Sequence, residues 1–303
     1  MKKKLLFVYN PRSGKAKIRN KLSDIVDVFV REGYEVTIHS TQGQGDAARV
    51  VKNRQKGTYD LIVCSGGDGT LDEAVSGMRE SGESLPIGYI PSGSTNDFAR
   101  SLGLSSHMVK AAEDIVRGQL FNCDMGKFNE KVFVYVAAFG MFTEVSYATD
   151  QQMKNMLGHM AYLLEGVKSL SSIQSYVMCI ESEEETIEGD FILGMVTNST
   201  SVGGFKNIIG KDIELDDGKF EVILVKRPVT YVELDSTISS LVVPKFDSQC
   251  IRYFKTSRLT IHCEKQVSWT LDGEYGGEHR EVVIENLHKQ LPILVPCKEE
   301  PSQ

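Results

Sequence analysis

Short apolar runs alternate with helix-spaced stretches along the first part of this chain, and each run ends in a loop. Lys4–Tyr9, Glu35–Ser40, Leu61–Ser65 and Ile87–Ile90 read as strands. Ile18–Glu32, Gly45–Gln55, Leu71–Met78, Asp97–Leu102 and Met108–Arg117 read as the intervening and following helices. Runs this apolar suit strands covered on both faces. Strand–helix alternation implies a parallel sheet with right-handed crossovers. At 303 residues the chain is long enough for two domains, and its character changes near Phe121. Beyond that point strand signals dominate: Asn122–Lys127, Val132–Phe139, Ser175–Ile180, Glu188–Asn198, Phe220–Lys226, Arg258–Cys263, Trp269–Leu271, Glu281–Glu285 and Leu291–Val295. Several alternate with period two, as in an antiparallel sheet. The fold class expected is α/β plus all-β. Residues 1–121 form an open parallel sheet with flanking helices, 122–296 an antiparallel β-sandwich, and 297–303 a frayed tail. One further helix is expected where Met153, Met156, Leu157, Met160, Leu163, Leu164, Val167 and Leu170 make an apolar stripe. It reads first as a helix packed on the sheet; a Met-containing wall for a greasy ligand is the sharper reading, and the two are compatible.

Composition narrows the function. A net charge of −7 and a pI near 5.5 argue against a nucleic-acid binder, which needs a concentrated basic face, and against attachment to a membrane mainly by polybasic attraction, though a local patch could escape this average. The six cysteines form no C-x-x-C pair, which disfavours a zinc or redox motif and suits a reducing compartment. The N-terminal apolar stretch Leu5–Tyr9 is ended by Asn10-Pro11, so it reads as a first strand rather than a signal peptide. No apolar run reaches the ~18 residues a membrane span needs. His39, His107, His159, His262, His279 and His288 form no metal-like pair or triad and read as structural or surface residues.

The chemistry is carried by loops. Gly66-Gly67-Asp68-Gly69-Thr70 follows a strand and opens a helix. Glycine admits a positive φ and removes the Cβ that would obstruct a ligand, and helix-start N–H groups favour an anion. Asp68 would repel phosphates unless a divalent cation such as Mg²⁺ lay between, or it could accept a hydroxyl proton. The plainer reading is a β–α turn with an Asp cap. Two more loops repeat the pattern: Asn10-Pro11-Arg12-Ser13-Gly14-Lys15 after the first strand, and Pro91-Ser92-Gly93-Ser94-Thr95-Asn96-Asp97-Phe98 after the fourth. The first lacks the GxxxxGK[ST] spacing of a Walker A loop. Three such loops at the carboxyl ends of one parallel sheet should line one crevice. Asp272-Gly273 and Asp217-Gly218 read on spacing alone as turns, the former a hairpin.

Taken together, NPRSG, GGDGTLDEAV, PSGSTNDFAR, CDMG at 123–126 and LDGE at 271–274 resemble the bacterial diacylglycerol and lipid kinases, a family related to sphingosine and ceramide kinases and more distantly to NAD kinases. The resemblance covers nearly the whole chain, with the motifs in family order. Where many relatives read GTxND, this chain has Gly93-Ser94-Thr95-Asn96-Asp97, which keeps the hydroxyl.

The resemblance implies a nucleotide-binding α/β domain, a β-sandwich carrying much of the acceptor side, and an active site in the interdomain cleft. It implies ATP and Mg²⁺ as cofactors and a diacylglycerol-like lipid as acceptor, giving phosphatidic acid for phospholipid recycling. The nucleotide-contacting positions it implies are Asn10, Pro11, Arg12, Ser13, Gly14, Thr41, Gly66, Gly67, Asp68, Gly69, Thr70, Leu71, Asp72, Glu73, Ser94 and Asn96. Glu274 matches the proton acceptor. Asp68, Asp97 and Asp124 would hold Mg²⁺ or organise its surroundings, with Asp68 the alternative base. Asp217, with the carbonyls of Glu214 and Lys219, would bind a second, structural Mg²⁺. Asn198–Phe205 would border the acceptor site. The expected location is cytoplasmic with peripheral visits to the inner membrane face, without nucleic acid, and a homodimer stays open because sheet edges are exposed. The competing readings are a kinase of a soluble acceptor such as NAD, and a non-catalytic nucleotide- or lipid-binding module.

Overall fold

The computed structural model describes residues 2–140, 164, 169–202, 205–206, 213–242 and 248–297. The apolar stripe expected as a helix over Met153–Leu170 lies almost wholly outside them, and the loop Asn198–Phe205 lies partly outside. The elements are β1 (Lys3–Tyr9), α1 (Leu22–Arg31), β2 (Tyr34–Ser40), α2 (Asp46–Asn53), β3 (Leu61–Gly66), α3 (Asp68–Ser81), β4 (Ile87–Pro91), α4 (Asp97–Ser101) and α5 (Met108–Arg117). They continue with β5 (Gln119–Phe128), β6 (Lys131–Phe133), β7 (Val136–Gly140), β8 (Tyr176–Ser182), β9 (Thr186–Thr197), β10 (Ser201–Val202), β11 (Phe205–Lys206) and β12 (Phe220–Lys226). The last are α6 (Tyr231–Val242), β13 (Ile251–Thr256), β14 (Arg258–Leu271) and β15 (Glu274–Val295). The fold is mixed α/β with many antiparallel strands.

Two compact units emerge, Met1–Cys123 with Lys289–Gln303, and Asp124–His288. In the first, β1 pairs in parallel with both β2 and β3, and β3 with β4. Alternation along β1 divides its side chains. Leu5 and Phe7 join Ile18, Ile25, Phe29, Ala111, Ala112 and Ile115 in one core, which places α1 and α5 on that face. On the other helices, Ala47, Val51, Leu71, Ala74, Val75 and Met78 are also buried. There α2 and α3 approach so closely that a Cβ on Gly77 would lie 2.3 Å from the Ala48 carbonyl oxygen. The sequence reading gave 289–296 to the second domain. Instead Ile293 pairs in parallel with Ile87, so the end of β15 completes the first unit's sheet.

The second unit is built from antiparallel pairs. Two of its long strands, β9 and β14, each pair with both β7 and β8. Around them lies a core rich in aromatics, including Phe128, Phe133, Phe139, Phe191, Phe220 and Trp269. Trp269 sits 4.9 Å from Phe139 and 5.0 Å from Phe128, centroid to centroid. Facing glycines make room for these rings: a Cβ on Gly194 would lie 2.0 Å from Phe139 Cε1. All six cysteines are unpaired thiols, and burial pushes the Cys64 thiol well up. Among the described residues, no helix is long and apolar enough to cross a membrane.

Candidate active site

In the first unit the three glycine loops meet. Each leaves the carboxyl end of a strand of one sheet, and the register there is continuous, Tyr9 beside Ser65 and Gly66 beside Pro91. Asn10 donates its N–H to the Ser65 carbonyl (2.8 Å), and the Gly66 carbonyl accepts from Ser92 (2.8 Å) and Gly93 (3.1 Å). The contacts admit no side chain. A Cβ on Gly14 would lie 2.5 Å from the Ser92 carbonyl oxygen, and one on Gly93 would lie 2.5 Å from Gly67 Cα. Gly14 also has φ +56, a region that favours glycine. Asn96 braces the third loop, accepting the Gly93 N–H (3.0 Å) and donating to the Gly93 carbonyl (3.0 Å). Asn10 braces the first, its Oδ1 accepting the Arg12 N–H at 2.9 Å.

Asp68 links the second of these loops to the third. Sequence spacing starts α3 at Leu71, but the helix starts at Asp68 with Gly67 as cap. The Asp68 carboxylate reaches the next loop, where it accepts the N–H of Asp97 (3.0 Å) and of Phe98 (3.4 Å). It therefore caps α4 from outside and brings the buried Asp97 close by. Burial, with the negative charge of Asp68 behind it, raises the Tyr89 phenol well above its usual value, and that hydroxyl faces the Gly66 carbonyl at 3.3 Å.

The other first-unit positions play varied parts. Thr41 is buried and its N–H donates to the Tyr9 carbonyl (2.9 Å). Arg12 and Ser94 are exposed. The Leu71 side chain is in the core and its N–H goes to the Gly67 carbonyl, so Leu71 offers a ligand neither. Glu73 caps α2, its two oxygens accepting from Gly45 (2.6 Å) and Ala47 (3.1 Å).

Beside Glu73's cap, Asp46 holds the Thr41 loop. It accepts from Gln42 N (2.9 Å) and Arg49 and faces His39 Nε2 at 3.0 Å. Neither Asp46 nor His39 stands out in the sequence. The one signal is an Asp at a helix start seven residues after a strand His. The hydrogen bond from His39, aided by Gln42 and Arg49 and opposed by burial, lowers the Asp46 carboxyl to about 2 from 3.8. A lowered folded-state value stabilises above the unfolded value and is lost as pH falls through the folded one. Asp46→Asn should therefore cost about 1–2 kcal/mol at pH 7, with the gap to wild type closing as pH drops from about 4 towards 2. Urea denaturation across that range checks it.

In the second unit, Asp124 is fully buried. It accepts Gly218 N–H at 2.6 Å and faces His288 Nδ1 at 3.0 Å, and its own N–H goes to the Leu215 carbonyl. Asp124 thus ties the Leu215–Lys219 loop to β5, and His288, read from sequence as structural or surface, joins it there. In that loop Asp217 accepts the Lys219 N–H (2.9 Å) and faces Lys255 Nζ at 3.4 Å, while Lys255 also pairs with the buried Glu221 at 3.0 Å. Glu214 is exposed. Asp272-Gly273 forms the two-residue hairpin turn between β14 and β15, with φ +50 and +86, and pairs Leu271 with Glu274. Glu274 is exposed at the start of β15. Among the described residues, no three His, Cys, Asp or Glu side chains group as a metal cluster.

The chain is similar to known proteins along nearly its whole length. A family described as the diacylglycerol kinase catalytic domain matches residues 4–128. A diacylglycerol kinase of Bacillus subtilis (strain 168) is 33% identical over 302 residues, covering 99% of each chain. One from Staphylococcus carnosus (strain TM300) is also 33% identical, covering 98% of this chain and 96% of its own. Two Bacillus anthracis str. Sterne crystal structures share the fold. One has TM-score 0.82 and 25% identity, covering 97% of this chain and 95% of its own. The other, a diacylglycerol kinase, has TM-score 0.75 and 24% identity, covering 97% of each.

Proposed function

Since the chain belongs to the bacterial diacylglycerol kinase family and is a lipid kinase, we propose that it moves the terminal phosphoryl group of ATP to the hydroxyl of diacylglycerol or a similar lipid, giving phosphatidic acid or its analogue. The observation that carries this reading is the close meeting of three turns at Gly14, Gly67 and Gly93, where no Cβ fits on Gly14 or Gly93, with Asp68 opening α3 from one of them. Backbone packed this closely, at a helix start, is what a polyphosphate requires. Asn10, Pro11, Arg12, Ser13, Gly14, Thr41, Gly66, Gly67, Gly69, Thr70 and Ser94 would seat the nucleotide. Glu73 and Asn96 would act by bracing the loops, and Asp72 would follow from its place in the first turns of α3.

The donors suit Mg²⁺. Asp68 and Asp97 would offer hard carboxylate oxygens from neighbouring loops, joined by the Asp97 N–H on the Asp68 carboxylate, and Mg²⁺ commonly takes one or two carboxylates with substrate phosphates. Bound there, the cation would neutralise charge on the phosphates. Glu274 would take the proton of the lipid hydroxyl as it attacks, with Asp68 the alternative base. Asp124 would hold the Leu215–Lys219 loop in place.

That loop would hold a second Mg²⁺ through the Asp217 carboxylate and the carbonyls of Glu214 and Lys219, all hard oxygens, with Lys255 as a competing internal cation. Wild type should then gain about 2–4 °C in Tm when Mg²⁺ rises to roughly ten times Kd, and Asp217→Ala should show no gain. Differential scanning calorimetry with and without Mg²⁺ measures this. The chain would work at the inner membrane face, where the lipid lies. The edge strand β2, with Ile38 45% exposed, supports a homodimer.

The test of substrate class is product analysis with labelled ATP and diacylglycerol, sphingosine or NAD. Labelled phosphatidic acid is the expected result. Label appearing only in the NAD reaction would end the lipid reading, and no label with any acceptor would leave a binding module.

A further inference from the structure

The turn that carries Glu274 is held by more than its own geometry. An Asp-Gly hairpin needs only positive φ at its two central residues, and an exposed Asn or Asp serves. Asp272 is instead 4% exposed. Its carboxylate accepts three consecutive backbone N–H groups where β6 bends into β7: Val134 on Oδ2, and Tyr135 (3.0 Å) and Val136 (2.9 Å) on Oδ1. Its own N–H returns to the Val136 carbonyl at 2.8 Å. The receiving segment is fixed in turn, because the Tyr135 carbonyl accepts the Asn198 N–H (2.9 Å) and the Thr197 hydroxyl (2.7 Å). On the core side Trp269 is fully buried and Leu271 nearly so. Successive backbone N–H groups form a concave anion seat, and here the chain's own carboxylate fills it.

From this geometry we infer that Asp272 is the positioning residue for Glu274. It locks a left-handed turn against β7 so that the carboxylate two residues on stays in one place. The inference rests on the reading of Glu274 as the proton acceptor. It follows from rigidity: a misplacement of about 1 Å at a reacting group costs on the order of 10²-fold in rate. An Asn at 272 keeps the preference for positive φ. However, it offers one carbonyl oxygen to three donors and turns an NH₂ group towards one of them.

The experiment measures kcat and KM with diacylglycerol and MgATP for Asp272→Asn, Glu274→Gln and the double variant. Asp272→Asn should lose about 10²-fold in kcat, with KM for ATP within about threefold of wild type. The double variant should be no slower than Glu274→Gln alone, because a residue that acts only through Glu274 adds nothing once Glu274 is gone. Losses that multiply would reveal a general structural role and overturn the inference, as would an Asp272→Asn enzyme within about threefold of wild-type kcat. If Asp272→Asn fails to fold, Asp272→Gly, which relaxes the positive φ and carries no repelling amide, runs the same cycle. Full turnover by Glu274→Gln would strike the underlying reading itself, whereas a dead Glu274→Gln beside an active Asp272→Asn would strike only this inference.

Discussion

Glu274→Gln should lower kcat by about 10²–10⁴-fold while leaving ATP binding unchanged. The substitution keeps the size of the side chain and removes its charge and its capacity to take a proton. At about 1.36 kcal/mol per decade the loss corresponds to roughly 3–5 kcal/mol of transition-state stabilisation. Structural disturbance should be small. Glu274 is exposed, and the Asp272 carboxylate fixes the turn before it. Equilibrium binding of ATP and single-turnover transfer to diacylglycerol separate the two effects. If the Gln enzyme turned over as fast as wild type, the base would be sought at Asp68. There the cost of substitution is harder to interpret, because Asp68 also caps α4.

The fold was readable where local signals and tertiary packing agree. Met108–Arg117 and Phe220–Lys226 occupy the residues their patterns predict, the helix because an amphipathic stripe has one buried face and the strand because its apolar run is buried on both faces. The glycine loops were readable because apolar runs end in Gly and Asp before helical spacing begins. Strand lengths in the second unit were not. Arg258–Cys263 and Trp269–Leu271 are one strand, joined across a register shift between His262 and Val267 that interrupts the alternation. Glu281–Glu285 and Leu291–Val295 are likewise parts of β15. Helix α6 went unseen because Tyr231–Val242 mixes β-branched residues with serines, although Thr230 and Glu233 form a capping box at its start.

The same limit governs the site. Motif residues declared themselves, but their supports did not. Glu73 caps a helix 26 to 28 residues away, and Asp272 finds its donors 136 to 138 residues away. A carboxylate's partners at such separations are set by sheet register, which sequence spacing does not encode. His288 is the plainest example. The residues after it, Lys289 and Gln290, are polar and exposed, yet β15 delivers it to Asp124, a residue 164 positions earlier.

The glycine loops give the second large effect, and it is steric. Gly93→Ala should raise Kd for ATP by roughly 5- to 140-fold, equivalent to about 1–3 kcal/mol of overpacking strain. Its φ is not in the left-handed region, so the added methyl acts through contact alone. That methyl would lie 2.5 Å from Gly67 Cα and 2.7 Å from Asn96 Oδ1. Neither neighbour can retreat cheaply. The Gly67 carbonyl accepts from Thr70 (3.0 Å) and Leu71 (3.3 Å) as α3 begins, and the preceding Gly66 carbonyl accepts from Ser92 and Gly93. Asn96 is held to Gly93 from both ends of its amide. The loops must therefore separate, and with them the N–H groups and carboxylates proposed to hold the phosphates. Gly43→Ala is the control, since its methyl would meet nothing within 4 Å, and it should change stability by no more than about 0.5 kcal/mol. Calorimetric ATP titration of both variants decides the point. A Gly93→Ala protein that bound ATP as tightly as wild type would show that the nucleotide does not depend on the packing of these two turns.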